Sequence, residues 1–147
     1  MALVSAKSKV APLKMLSIPR LELQAAVLGT RLLNSVIAMH DLQVTKRVLW
    51  TDSRTVLAWI YSDQRKYHQF VGFRVAEILS TTESSEWRWI SSKANVADRA
   101  TKWGTGPDLN ENSVWFLGPE FLRQPEDIYM AKTATKLNNY CGRNKII

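Results

Sequence analysis

The chain has 147 residues, 46% of them apolar, which is enough for one domain with a core and excludes a disordered chain. Its single cysteine, Cys141, excludes a disulfide framework, and no apolar run reaches the roughly 18 residues of a membrane span, so we expect an intracellular protein, cytoplasmic or nuclear, without membrane contact. The net charge of +7 suits a polyanionic partner such as nucleic acid, although basic domains that are merely soluble share it.

The first elements are a predicted strand and a long predicted helix. Residues 2–10 alternate between apolar and polar like a strand. Pro19 fits a first helical turn with Ser17 as the candidate N-cap, and apolar residues recur at helical spacing as far as Met39. The stripe expected to be buried is Leu21, Ala25, Leu28, Leu32 and Val36.

The following elements alternate between strands and helices. A strand is predicted in "KRVLWT" and a helix from Ser53 to Tyr61, then a helix in "DQRKYHQFVGFRVAEILSTT", a strand in "EWRWISS" and a short helix beginning in "ANVADRATKW". "VWFLGPEFLRQPEDIYM" is apolar but contains two prolines, so it predicts a packed arm. This order favours an α/β fold with helices on the faces of a sheet. We assign residues 1–125 to this domain and 126–147 to a basic, disordered tail.

Three acids occupy similar positions in this order. Asp52 ends a strand, Asp98 begins a helix after a later strand, and Glu22 lies in the expected first turn of the long helix. Each acid by itself is explained by the preference for negative charge at helix N-termini. Together they predict a cluster at the carboxyl edge of the sheet, where carboxylates are tolerated if Mg²⁺ or Mn²⁺ neutralises them. Two such ions about 4 Å apart drive phosphodiester hydrolysis.

Candidate nucleic-acid contacts lie next to two of these acids. Arg54 and Thr55 follow Asp52 at a helix N-terminus, where free N–H groups and a guanidinium suit a phosphate. Lys93, in the loop before Asp98, is a phosphate contact or simply a solvated charge, and Asn95 of the same loop is a further candidate.

The aromatic and histidine side chains favour structural roles. The six tryptophans allow base stacking. Four of them lie in strands or an apolar helix, which favours core packing: Trp50, Trp59, Trp87 and Trp89. His40 and His68 are expected to be surface or packing residues rather than catalytic ones.

Four stretches carry a family resemblance. "IPRLELQAAVLGTRLL", "VLWTDSRTVLAWI", "WRWISSKANVADRAT" and "GPEFLRQP" resemble the ribonuclease H domain of Pao/BEL-type retrotransposon polyproteins, over residues 3 to about 125. The resemblance implies a ribonuclease H-like mixed sheet with flanking helices, and Mg²⁺-dependent cleavage of RNA in RNA–DNA hybrids. It implies catalytic and metal-binding roles for Glu22, Asp52 and Asp98, and, as partners, the hybrid and the reverse transcriptase and integrase regions of a longer polyprotein.

The chain also departs from the family pattern. Residues 2–10 match the third strand of the family, so the first two strands, with the aspartate that bridges both metals, are expected to be missing. The loop "ISSKAN" has no histidine, which many family members carry there. We therefore expect an N-terminally truncated domain with impaired cleavage, in which residues 2–10 either pair beside residues 47–51 or stay loose. The alternatives are a catalytically inactive remnant that binds nucleic acid, and an interaction domain that uses the "WFLGPEFL" arm.

Overall fold

The described part of the chain contains helices and one small sheet. The computed structural model describes residues 2–41, 43–62, 67–101, 104 and 107–125, so the predicted tail at 126–147 lies outside it. In chain order the elements are α1 (Ile18–Met39), β1 (Leu49–Thr51), α2 (Arg54–Tyr61), α3 (Gln69–Leu79), β2 (Trp87–Trp89) and α4 (Val114–Leu117). Short 3-10 turns lie at Ser84–Glu86, Ser92–Ala94, Val96–Thr101 and Glu120–Arg123. Within the described ranges, no helix combines the length and apolar character that crossing a bilayer requires.

β1 and β2 form a parallel pair. The register places Leu49 opposite Trp87 and Thr51 opposite Trp89. The N–H of Ile90 extends the pair by donating to the carbonyl of Thr51 at 3.0 Å. Parallel strands need a crossover connection, and α2 and α3 lie within it. The prediction of an α/β fold, with these two strands paired, is confirmed.

The core lies where α1, α2 and α3 meet the sheet. Leu23 of α1, Leu57 of α2 and Ile78 of α3 are almost completely buried. The remaining buried apolar residues of this cluster are Val27, Val56, Ile60, Val71, Val75 and Trp87. Burying side chains of this size stabilises a fold by about 1.5–3 kcal/mol each before entropy is counted. The three helices are thereby fixed against the strands.

α1 begins and ends as predicted, but its buried face is not the predicted one. The carbonyl of Ser17 accepts from the backbone of the first turn, although the Ser17 side chain makes no capping bond. Leu23, Val27 and Thr30 are buried, whereas Ala25 of the expected stripe is exposed and its other members are half-buried. Apolar residues occur on nearly every side of this helix. Helical spacing therefore fits the predicted stripe as well as the opposite side, which is the one that is buried. Thr30 can lie in the core because its hydroxyl donates to the carbonyl of Ala26 at 3.0 Å.

The predicted strand at residues 2–10 is wrong. These residues have no strand geometry and are exposed. The N–H of Leu3 donates to the carbonyl of Phe116 at 2.9 Å, so this segment contacts α4 instead of pairing beside residues 47–51. An alternating pattern forms a strand only when a neighbouring strand supplies hydrogen bonds.

The segments after β2 are shorter than predicted. The helix expected from "ANVADRATKW" is the 3-10 turn Val96–Thr101 in its described part. The apolar arm is divided at Gly118, whose φ of 72° suits glycine. Its 3-10 turn brings the ring of Phe121 edge-on to that of Trp50, with the ring centres 5.2 Å apart. The arm therefore packs on β1, as expected from its composition.

Candidate functional site

The end of β1 leads directly into the N-terminus of α2. Ser53 is the buried N-cap of α2, and its Oγ accepts from the N–H of Val56 at 3.1 Å. Its own N–H donates to Oγ1 of Thr51 at 3.2 Å. Ser53 therefore supplies the cap, and the Asp52 side chain is not needed for it. This removes helix capping as the explanation for an acid at this position.

Glu22 reaches this same point from α1. The Ser53 hydroxyl donates to Oε2 of Glu22 at 2.7 Å, across 31 positions in the sequence. Glu22 lies beyond the first turn of α1, which contains no acid, so its predicted position in that turn is wrong. The favourable effect of a helix N-terminus fades beyond the first turn, so it does not account for Glu22. The Ser53 hydroxyl thus accepts from α2 and donates to the carboxylate of Glu22, at the residue that directly follows Asp52 in the chain.

Asp52 is held through its backbone. Nε1 of Trp89 donates to the Asp52 carbonyl at 3.1 Å, which joins the carboxyl ends of the two strands. The Arg54 guanidinium carbon lies 4.8 Å from the centre of the Trp89 ring. Within the described ranges, no hydrogen bond or ion pair is made by the Asp52 carboxylate. The side chain is half-buried and remains available to a ligand.

Asp98 lies in a different local setting. It is half-buried in the 3-10 turn Val96–Thr101, where its N–H donates to the carbonyl of Asn95 at 3.4 Å. The Asp98 carbonyl accepts from the hydroxyl of Thr101 at 3.1 Å. The convergence of the three carboxylates of Glu22, Asp52 and Asp98 stays a prediction.

The acids provide oxygen ligands of the type that Mg²⁺ and Mn²⁺ prefer. In the part of the chain that the structure describes, however, no group of three His, Cys, Asp or Glu side chains could hold a metal ion. The Mg²⁺ or Mn²⁺ site therefore stays a prediction.

The four predicted nucleic-acid contacts are distributed over two segments. Arg54 and Thr55 are exposed in the first turn of α2, directly beside Asp52. Lys93 is exposed in the 3-10 turn Ser92–Ala94, and Asn95 is the half-buried residue that ends this turn. Only Arg54 is linked to the Asp52 region by a described contact, through Trp89.

Two residues of this site were missed by sequence reasoning. Ser53 has a recognisable signal, since a serine directly before an apolar helical stretch is a typical N-cap. Its bond to Glu22 depends on how α1 packs, and no local pattern indicates that. Trp89 was expected to pack in the core, and it does pack against the core while its N–H and ring face serve Asp52 and Arg54.

The opposite end of the sheet contains a cavity of about 550 Å³. There Nε and Nη2 of Arg47 donate to the two carboxylate oxygens of Glu86, at 2.8 and 3.1 Å. The lining residues are Ile37, Val44, Thr45, Lys46, Arg47, Val48, Ser85, Glu86 and Arg88. None of the residues predicted to be functional lines this cavity, so we place the candidate site at the Ser53 end.

Comparison with known families gives one match, to the first third of the chain. Residues 1–53 match the family model described as the Pao retrotransposon-like RNaseH-like domain, which confirms the resemblance over those residues. The match includes Glu22 and Asp52 and ends at Ser53, so Asp98 lies outside it. The chain matches no curated protein and no solved structure.

Proposed function

We propose, from the match of residues 1–53 to a Pao-type RNase H-like domain, that this chain binds RNA–DNA hybrids and uses Glu22 and Asp52 as acids of a nuclease site. The observation that carries the proposal is the 2.7 Å hydrogen bond from Ser53 to Glu22. It links two distant segments of the matched region at the carboxyl end of a parallel strand, where α/β proteins form their sites.

The surroundings of the two acids suit a hybrid backbone. Arg54 and Thr55 are exposed beside Asp52, so they can donate to a phosphate there. The net charge of +7 favours a polyanion and predicts binding that weakens steeply as salt rises, because bound phosphates release counterions. The chemistry itself is expected to be weak. Hydrolysis by acids of this class depends on divalent ions, and the described residues form no three-acid group.

The decisive experiment measures binding and cleavage of one labelled RNA–DNA hybrid, with Mg²⁺ and with Mn²⁺. We expect salt-sensitive binding and at most slow cleavage of the RNA strand. Asp52→Asn and Glu22→Gln should abolish that cleavage. Asp41→Asn is the matched control, because Asp41 is an exposed acid just after α1. Strong cleavage that survives Asp52→Asn would place the site elsewhere and refute the proposal.

A second candidate is a domain that binds nucleic acid without cutting it. The lack of a three-acid group among the described residues favours it. It predicts salt-sensitive hybrid binding with no cleavage in either metal. A chain that neither binds nor cuts the hybrid would exclude both candidates.

A further inference from the structure

Two arginines from different helices lie over the aromatic ring of Phe70 in α3. The guanidinium carbon of Arg74 lies 3.5 Å from the ring centre, and that of Arg20 in α1 lies 5.0 Å from it. Nη1 of Arg74 also donates to the carbonyl of Phe70 at 3.0 Å. We refer to Arg20, Phe70 and Arg74 as the Phe70 cluster.

This cluster places two positive charges together without an acid between them. Within the described residues, neither Arg20 nor Arg74 forms an ion pair. Glu77, the acid of α3, is occupied by Arg31 at 2.6 Å. Adjacent like charges repel, and an anion that binds both would relieve this repulsion. The aromatic ring reduces the cost by attracting each cation, and a stacked guanidinium keeps N–H donors at its edge for a phosphate.

The cluster lies at the end of α1 that also holds Glu22. Arg20 contacts Phe70 near the start of α3, and Arg31 contacts Glu77 later in α3, so the two helices begin at the same end of the molecule. Glu22, two positions after Arg20, reaches Ser53. Arg54 on Trp89 is a third arginine supported by an aromatic ring in this region.

We propose that Arg20 and Arg74 form a phosphate clamp for the backbone of nucleic acid that extends from the Glu22–Asp52 site. The inference rests on the proposed function and adds a second contact surface to it. Two planar guanidinium groups suit successive backbone phosphates, because each can donate two parallel hydrogen bonds. Phe70 fixes their position and so lowers the entropy that binding would cost.

The test compares the double variant Arg20→Gln/Arg74→Gln with Arg31→Gln/Lys9→Gln. Both variants remove two positive charges, and each changes one arginine of α1. Arg31 is the control for Arg20 because its guanidinium is already bound to the carboxylate of Glu77. This ion pair also raises the pKa of Arg31. The measurement is the affinity of a fluorescein-labelled RNA–DNA hybrid by anisotropy across a salt series.

We expect the clamp variant to bind roughly tenfold more weakly at low salt, and the slope of log affinity against log salt to fall by about 0.9 for each phosphate that the variant no longer neutralises. The control variant should change much less. Arg20→Lys/Arg74→Lys keeps the charge but removes the planar fork, so its affinity should lie between the wild type and the clamp variant. Circular dichroism checks that each variant is folded. If the double variant unfolds, the same affinity measurement is made with the single variant Arg20→Gln.

Three results would overturn the clamp. They are unchanged affinity in the clamp variant, equal weakening in the control variant, and a wild-type chain that binds no hybrid. Binding of poly-glutamate of matched charge is measured in parallel. If the clamp variant loses poly-glutamate binding as strongly as hybrid binding, the cluster is assigned to acidic peptides. The proposed nuclease site is tested separately by Asp52→Asn cleavage, so the clamp can fail while the site stands.

Discussion

The acids at the two ends of the β1–β2 pair have different hydrogen-bond partners. At the amino end, the side chain of Glu86 is 17% exposed and is bound at both oxygens by Arg47. Arg47 also donates to the carbonyl of Thr81. At the carboxyl end, and among the residues described, Glu22 receives a neutral hydroxyl and the Asp52 carboxylate receives no partner.

This difference separates an acid that is paired with a cation from acids for which the described residues supply no cation. A paired, partly buried carboxylate is costly to disturb, because its cation would remain desolvated. Carboxylates held without a cation contribute little to folding and keep their oxygens for a ligand. We therefore expect changes at the amino end to lower stability and changes at the carboxyl end to alter function.

The largest contrast is expected between the two tryptophans of β2. Trp87, at the amino end, is buried and donates to Oγ1 of Thr82, so Trp87→Ala should lower the free energy of unfolding by about 3–5 kcal/mol. Trp89 is half-buried, and Trp89→Ala should cost roughly 1–2 kcal/mol while weakening hybrid binding through Arg54. Urea unfolding followed by circular dichroism measures both, and equal losses would remove the contrast.

A smaller contrast is expected between the two glutamates. Glu86→Gln leaves the Arg47 charge without its carboxylate and should cost about 1–3 kcal/mol. Glu22→Gln keeps a carbonyl oxygen for the Ser53 hydroxyl, so stability should change by no more than about 0.5 kcal/mol. The same denaturation experiment decides. A Glu22 variant that is the less stable of the two would show that this acid has a structural role.

The smallest contrast is between two serines that precede helices. Ser53→Ala removes a capping acceptor and the donor to Glu22, so it should cost about 1 kcal/mol. Ser17→Ala is the matched control, since the Ser17 side chain makes no capping bond and its removal should have almost no effect. Thermal melts of both variants provide the comparison. A Ser17 variant that melts as early as the Ser53 variant would mean that the two caps are equivalent.

Local patterns were sufficient for the α-helices and strands between residues 17 and 90. Proline at the start of α1, the apolar runs of β1 and β2, and the spacing within α2 and α3 each reflect a preference that neighbouring residues impose. The strand predicted at residues 2–10 is wrong, because an alternating pattern does not show whether a partner strand is present elsewhere. The buried face of α1 was also beyond prediction, since apolar residues surround the helix.

The acids of the candidate site could be proposed from the sequence, but the contacts that hold them could not. Asp52 and Glu22 were proposed from their positions and from the family resemblance, although Glu22 lies beyond the helical turn in which it was expected. The hydrogen bond from Ser53 to Glu22 results from the way α1 packs beside α2 and α3. The meeting of two arginines at the Phe70 ring has the same origin. Contacts between distant segments leave no periodic trace in a single sequence.

The parallel pairing of β1 and β2 also sets an order for folding. The strands are separated along the chain by α2 and α3, so their pairing closes a long loop, whereas each helix forms from neighbouring residues. We expect the helices to dock first and the strands to zip afterwards. The Ser53–Glu22 bond joins α1 to α2 and belongs to the first step, whereas the Trp89–Asp52 bond joins the ends of the two strands and forms only in the last. The segment that holds Asp52 is therefore fixed to β2 late, after most of the hydrophobic surface has already left water.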